Sequence, residues 1–125
     1  MKIALSAGAR GLDARVSPVF GRCQYFTIVE VEGEQITSDE TIENTARDQT
    51  RGAGSSAAQI LAEKEVDALI TDKVGSTSFM ALQQLNIDIY KKSAGTVEEN
   101  VKQFISGGLS AIESPSTGAG RRTGF

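Results

Sequence analysis

The sequence predicts an α/β domain: a three-layer fold whose five-stranded mixed sheet, with one antiparallel strand, is flanked by helices. Three observations predict it. Apolar residues alternate with period two over 24–32 and again over 35–43, on either side of Glu32-Gly33-Glu34, the mark of a β-hairpin. Short apolar runs at 66–71 and 87–90 are interleaved with segments whose apolar residues recur at helical spacing, the mark of strand–helix–strand crossovers. At 125 residues, with 39% hydrophobic and 23% charged residues, the chain has the length and balance of one globular domain.

The elements follow in order. Residues 2–6 (KIALS) read as a short buried strand. A long loop runs from Ala7 to about Cys23, punctuated by Gly8, Gly11, Pro18 and Gly21. In the second strand, Phe26, Ile28 and Glu30 fall on one face and Tyr25, Thr27, Val29 and Val31 on the other. After the third strand, residues 45–54 form a polar, glycine-containing loop. Ala57, Ile60 and Leu61 then open a helix that runs to about Glu65. Phe79, Leu82 and Leu85 line one side of a second helix. Thr96 and Glu99 have the spacing of a capping box at the start of a third. That helix carries the stripe Val97, Val101, Phe104 and Ile105 and stops at Gly107-Gly108. Residues 1–113 thus make the domain, and 114–125 (SPSTGAGRRTGF) read as a flexible Gly/Ser/Arg tail.

Right-handed crossovers place the second strand antiparallel to its neighbours, which is the ribonuclease H-like arrangement. A flavodoxin-like sheet is the alternative, but it begins without a hairpin. Ribonuclease H-type nucleases need carboxylates on the first strand to hold two metals. Residues 2–6 carry none, Asp13 lies deep in the loop, and Asp67 and Asp72 lack first-strand partners. A nuclease is therefore excluded.

Composition excludes more. The net charge of −3 argues against a nucleic-acid or membrane-surface partner. No apolar run approaches the ~20 residues that span a bilayer, and Met1–Ser6 is too short for a signal peptide. The single cysteine, Cys23, allows no intrachain disulfide and suits a reducing cytoplasm. The chain has no histidine, which removes Ser-His-Asp, Cys-His and histidine–zinc chemistry.

What remains is binding. Ligands of open α/β sheets sit beyond the carboxyl ends of the parallel strands. Those ends lead into loops 7–23, 71–76 and 91–96, and loop 45–54 enters its helix at the same edge. Three loops run into helix starts: at Gly52-Ala53-Gly54-Ser55-Ser56, at Gly75-Ser76-Thr77 and at Gly95-Thr96. Helix N-termini offer free N–H groups and partial positive charge, and Arg22 and Arg51 add guanidinium donors nearby. One such loop is ordinary capping chemistry. Three with two arginines point to an anion. Cys23, the only soft ligand, is a candidate metal ligand if Arg22 lowers its thiol pKa; otherwise it is a small packed hydrophobe. Alone it builds no four-cysteine cluster site except across a dimer.

The segments Ser17-Pro18-Val19-Phe20-Gly21-Arg22-Cys23, Tyr25-Phe26, Ile28-Val29, Glu43-Asn44, Gly52-Ala53-Gly54, Gly75 and Ser93–Glu99 together resemble the dinitrogenase iron–molybdenum cofactor biosynthesis family, stand-alone archaeal members above all. The resemblance covers about residues 1–113. It implies a ribonuclease H-like fold and a non-catalytic accessory or carrier role toward an iron–sulfur or iron–molybdenum-type cluster or precursor, held transiently. Phe20, Gly21, Arg22, Gly52 and Gly54 carry over as site residues. Carriers of the family often have histidine where this chain has Val19 and Arg51, so histidine ligation is excluded here. The expected partners are metallocluster-assembly proteins, with the chain a monomer or homodimer. The alternative is a metal-free module that binds a small anion or another protein.

Overall fold

The computed structural model describes residues 1–116. Its elements are β1 (Lys2–Ala7), β2 (Tyr25–Glu32), β3 (Gln35–Glu43), α1 (Ala53–Glu63), β4 (Ala68–Thr71), α2 (Ser76–Gln84), β5 (Asp88–Lys91) and α3 (Val97–Ile105). The sheet has the order β3-β2-β1-β4-β5. Strand β2 runs antiparallel to β1 and β3, while β1, β4 and β5 are mutually parallel. This is the ribonuclease H-like topology. Gly33 opens the two-residue hairpin turn with φ 63°, a conformation that costs a residue without Cβ little.

Both sheet faces are covered. Ala4, Phe26, Ile28, Leu69 and Ile89 meet Ala57, Ala58, Leu61 and Leu82 of α1 and α2. On the other face Ile3, Leu5, Val29, Val31 and Ile70 meet Val97 and Val101 of α3, with Ala14 and Val16 of the first loop beside them. The alternation along β2 therefore buries two faces, because helices lie on each side. No helix of the described residues is long and apolar enough to cross a membrane.

Two of the boundaries that differ from the sequence reading have a local cause. Helix α1 begins at Ala53 rather than near Ala57, because Gly52 takes a left-handed φ of 74° and launches the helix within the glycine–serine run. Strand β4 begins at Ala68, because the Val66 amide is still engaged with the Leu61 carbonyl at 3.2 Å in the turn that ends α1. That turn places Glu65 at φ 61°. A left-handed conformation strains a residue with a Cβ. Glu65→Gly is therefore expected to stabilise the domain by about 0.5 kcal/mol, raising Tm by about 2 °C. An unchanged or lower Tm in a thermal melt would count against strain at this turn.

The described end of the chain, up to Ser116, is hydrogen-bonded to the domain. The Lys91 amide bonds Ser110 O at 2.8 Å, the Ile112 amide bonds Ile89 O at 2.8 Å, and Ser116 is fastened to Val74. Residues 114–116 thus pass beside the β4–α2 loop, led there by the edge pairing with β5. The remainder of the expected tail lies outside the described residues.

Candidate functional site

At the carboxyl ends of β1 and β4, on the α1/α2 face, lies a cleft of ≈ 550 Å³. Its wall is built from three loops. Val19, Gly21 and Arg22 come from the first loop, Gly52–Gly54 from the start of α1, and Lys73, Val74, Gly75, Thr77 and Ser78 from the start of α2, with Ser116 at the rim.

Backbone pairing fixes the first loop. Ser6 Oγ donates to Ser17 O at 2.7 Å and lies 2.8 Å from Thr71 Oγ1, in a buried link between β1 and β4. The Lys73 amide donates to Pro18 O at 2.7 Å, and the Phe20 amide donates to Lys73 O at 3.4 Å. Phe20 is fully buried against Phe26, with ring centroids 5.5 Å apart. It anchors the loop and does not line the cleft. Asn44, also buried, donates from Nδ2 to Gly21 O at 3.1 Å and Cys23 O at 2.9 Å. Gly21 and Arg22 are thereby held against α1.

Two glycines permit the close approach. A Cβ on Gly21 would lie 3.2 Å from Gly54 Cα. A Cβ on Gly54 would overlap Ser78 Oγ and lie 2.9 Å from Ser78 Cβ. The first turns of α1 and α2 are pressed together at Gly54, so their N-termini converge.

Those N-termini are electrostatically open. Neither Gly52 nor Gly75 supplies a side-chain cap, and neither first turn contains an acid. Among the described residues, the amides of Ala53, Gly54, Ser55, Ser76, Thr77 and Ser78 have no hydrogen-bond partner. Such groups carry partial positive charge. Arg22 and Lys73 add full charges, and no carboxylate lines the wall. The charged residues that line the cleft are thus both cationic, in a chain of net charge −3.

Helix α3 differs. Gly95 and Thr96 stand at the same sheet edge but on the opposite face, and the α3 start is fully occupied. Its Val97 and Glu98 amides donate to Ala14 O at 2.8 Å and Leu12 O at 3.1 Å. Thr96 and Glu99 complete the expected capping box. Gly95 and Thr96 are therefore not gathered with the other two starts. The sequence marks where a helix begins but not which face it then covers.

The remaining expected residues divide. Gly21, Arg22, Gly52, Gly54 and Gly75 line the cleft. Arg51 is exposed just before Gly52 and does not line it. Ser55 lines a separate groove between α1 and α2 with Gln59 and Ala81. Ser76 offers its amide, while its side chain is absent from the wall. Lys73, Ser78 and Ser116 escaped the sequence reading, which names Thr77 only within a helix start and Asn44 only within the resemblance. Lys73 adjoins Val74-Gly75 in a loop already marked as facing the edge, and that adjacency was the available signal.

Cys23 requires correction. The residue is 4% exposed, and its thiol lies 3.2 Å from both Phe20 O and Tyr25 O, to which it can donate. Burial pushes it up to about 11 from 9.0. Arg22 does not activate it, because Arg22 Nη1 is turned to Arg47 O and Gln49 O, each at 2.6 Å. The low-pKa thiolate expected beside Arg22 is absent, and the residue packs as a small hydrophobe. A raised thiol pKa favours folding below the unfolded pKa near 9.0 and loses that contribution as pH climbs toward 11. Between pH 8 and 10.5, wild type is expected to lose about 2 kcal/mol more stability than Cys23→Ser. Urea melts at the two pH values check this, and parallel losses would contradict the burial effect. No group of three or more His, Cys, Asp or Glu side chains among the described residues is placed to hold a metal ion.

Fold and site together define a class: an α/β domain of ribonuclease H-like topology with a positively charged cleft, free of carboxylates, at the sheet's carboxyl edge. The chain belongs to the dinitrogenase iron–molybdenum cofactor family, whose model matches residues 1–107. It is 40% identical over 113 residues to the uncharacterized protein MJ0580 of Methanocaldococcus jannaschii, covering 90% of this chain and 92% of that one. Its fold is similar to the apo form of the orange protein from Desulfovibrio gigas, with TM-score 0.86 and 32% identity over 93% of this chain and 96% of that one. It is also similar to TM1290 from Thermotoga, with TM-score 0.79 and 30% identity over 92% and 96% of the two chains.

Proposed function

We propose that the protein is a non-catalytic carrier or accessory protein that holds an anionic iron–sulfur or iron–molybdenum-type cluster, or its precursor, as cargo in the cleft. One observation carries the reading: two uncapped helix starts converge with Arg22 and Lys73 on a wall without carboxylates. Such a wall binds preformed anions through N–H and O–H donors. It offers no ligand set for a bare metal ion among the described residues, so the cluster would arrive assembled and be held by hydrogen bonds to its sulfide or oxide surface. Family membership supports a link to cofactor assembly. The orange protein supports a ligand at this fold, since an apo form presupposes a bound one.

A carrier also fits the chemistry that is missing. The chain has no histidine, and its one thiol is buried and protonated at neutral pH. Partners would be the proteins that build or receive the cluster, in a reducing cytoplasm.

Anaerobic incubation with a preformed cluster, assembled beforehand from iron, sulfide and molybdate, followed by desalting, absorbance spectroscopy and metal analysis, tests this. Wild type and Cys23→Ser are expected to become coloured and retain metal, and Arg22→Ala to retain little. A wild type that stays colourless and metal-free would overturn the reading. The lack of a metal-ligand set also favours a second reading, a metal-free small-anion module. A thermal-shift screen of phosphates, nucleotides and organic acids separates the two: stabilisation by such anions without cluster uptake selects the second.

A further inference from the structure

We infer that Asn44 is the positioning residue of the cleft: one buried residue fixes both the backbone around Arg22 and the carbonyls that orient its guanidinium. The inference rests on the cleft being an anion site. Asn44 does not line the cleft and is 2% exposed. It therefore acts on a ligand through Arg22 and not by contact.

Its hydrogen bonds reach both ends of Arg22. The Nδ2 group has two hydrogens, and they go to Gly21 O at 3.1 Å and Cys23 O at 2.9 Å. Those two carbonyls bracket the Arg22 Cα. Oδ1 accepts from the Ala46 amide at 3.1 Å, and Asn44 O accepts from the Arg47 amide at 3.2 Å. The Gln49 amide then donates to Ala46 O at 3.1 Å, which continues the turn. This turn presents Arg47 O and Gln49 O to Arg22 Nη1, which donates to each at 2.6 Å. The Asn44 amide donates to Gln24 O at 3.0 Å, so the arrangement is tied to the end of the β2–β3 ladder.

The result is an arginine ordered before a ligand arrives. A guanidinium has five N–H groups in a planar fork. Nη1 is engaged with the loop, and Nε and Nη2 have no partner among the described residues. Ordering a long side chain during binding weakens affinity, and here Asn44 and its turn supply that order in advance. Without Asn44, Gly21 O and Cys23 O lose a buried partner and the turn loses its first bond.

Molybdate is the probe, with affinity measured by calorimetry on the full chain at low salt. Wild type is expected to bind, Arg22→Ala to bind at least tenfold more weakly, and Asn44→Ala about fivefold more weakly. The double variant is expected to lie within about twofold of Arg22→Ala alone, because Asn44 then has no guanidinium to place. Val101→Ala, buried on the opposite face of the sheet, is expected to lower Tm but keep the wild-type affinity. Asn44→Ser retains an acceptor for the Ala46 amide. It is expected to be weakened like Asn44→Ala, and it takes that variant's place if alanine prevents folding. Wild-type affinity in the Asn44 variants, with Arg22→Ala still weakened, overturns this inference and leaves the cleft reading standing. So does an Asn44 loss of the same size with and without Arg22, since that loss would not run through the arginine. Binding that Arg22→Ala does not weaken, or no binding by wild type, overturns the cleft reading itself.

Discussion

Gly54→Ala is expected to lower stability by about 2 kcal/mol, the range for overpacking a tight contact, and to weaken ligand binding with it. Alanine would ordinarily improve a helix by about 1 kcal/mol over glycine. Here its Cβ would overlap Ser78 Oγ and stand 2.9 Å from Ser78 Cβ. Rotating the Ser78 hydroxyl relieves the first contact but not the second. The first turns of α1 and α2 must separate, and separation pulls apart the amides that converge on the cleft. Gly54→Ala/Ser78→Gly removes the obstacle and is expected to recover most of the stability. Denaturant melts of the two single variants and the double variant give the coupling directly. Additive effects would contradict a direct contact between the helix starts.

Arg22→Ala carries the largest expected effect on function. The guanidinium supplies charge to the cleft, and its Nη1 spans Arg47 O and Gln49 O at 2.6 Å each, securing the loop that leads into Gly52. Removing it costs both a donor and the placement of the α1 start. Anion affinity is expected to fall at least tenfold, while stability changes by about 1 kcal/mol or less, because the side chain is exposed. Arg22→Lys restores the charge but not the fork between two carbonyls, so it is expected to recover only part of the affinity. Full recovery by lysine would make charge alone the determinant.

Much of the fold is legible in the sequence for simple reasons. The hairpin shows because period-two alternation flanks Gly33, and α3 shows because Thr96 and Glu99 form a capping box. The start of α1 does not show, because Ala53-Gly54-Ser55-Ser56 carries no apolar stripe for helical periodicity to register. The site is legible as an edge but not as a cleft. Gly54 was marked as part of a loop, but its role as the contact point with Ser78 belongs to packing between helices 24 residues apart in sequence. The same limit explains α3. Nothing local at Gly95-Thr96 reveals that Leu12 and Ala14 carbonyls will occupy its amides. Cys23 was placed beside Arg22 by sequence adjacency, yet neighbouring side chains turned apart, one into the core and one onto the 45–51 loop.

The central claim is that the free amides of two helix starts, and not the third, receive an anion. Amide chemical shifts of ¹⁵N-labelled protein during addition of molybdate test it residue by residue. The largest shifts are expected at Ala53, Gly54, Ser55, Ser76, Thr77 and Ser78, with Val97 and Glu98 unmoved because their N–H groups are already bonded. Shifts centred on Val97 and Glu98, or a binding curve that leaves the first turns of α1 and α2 still, would contradict it.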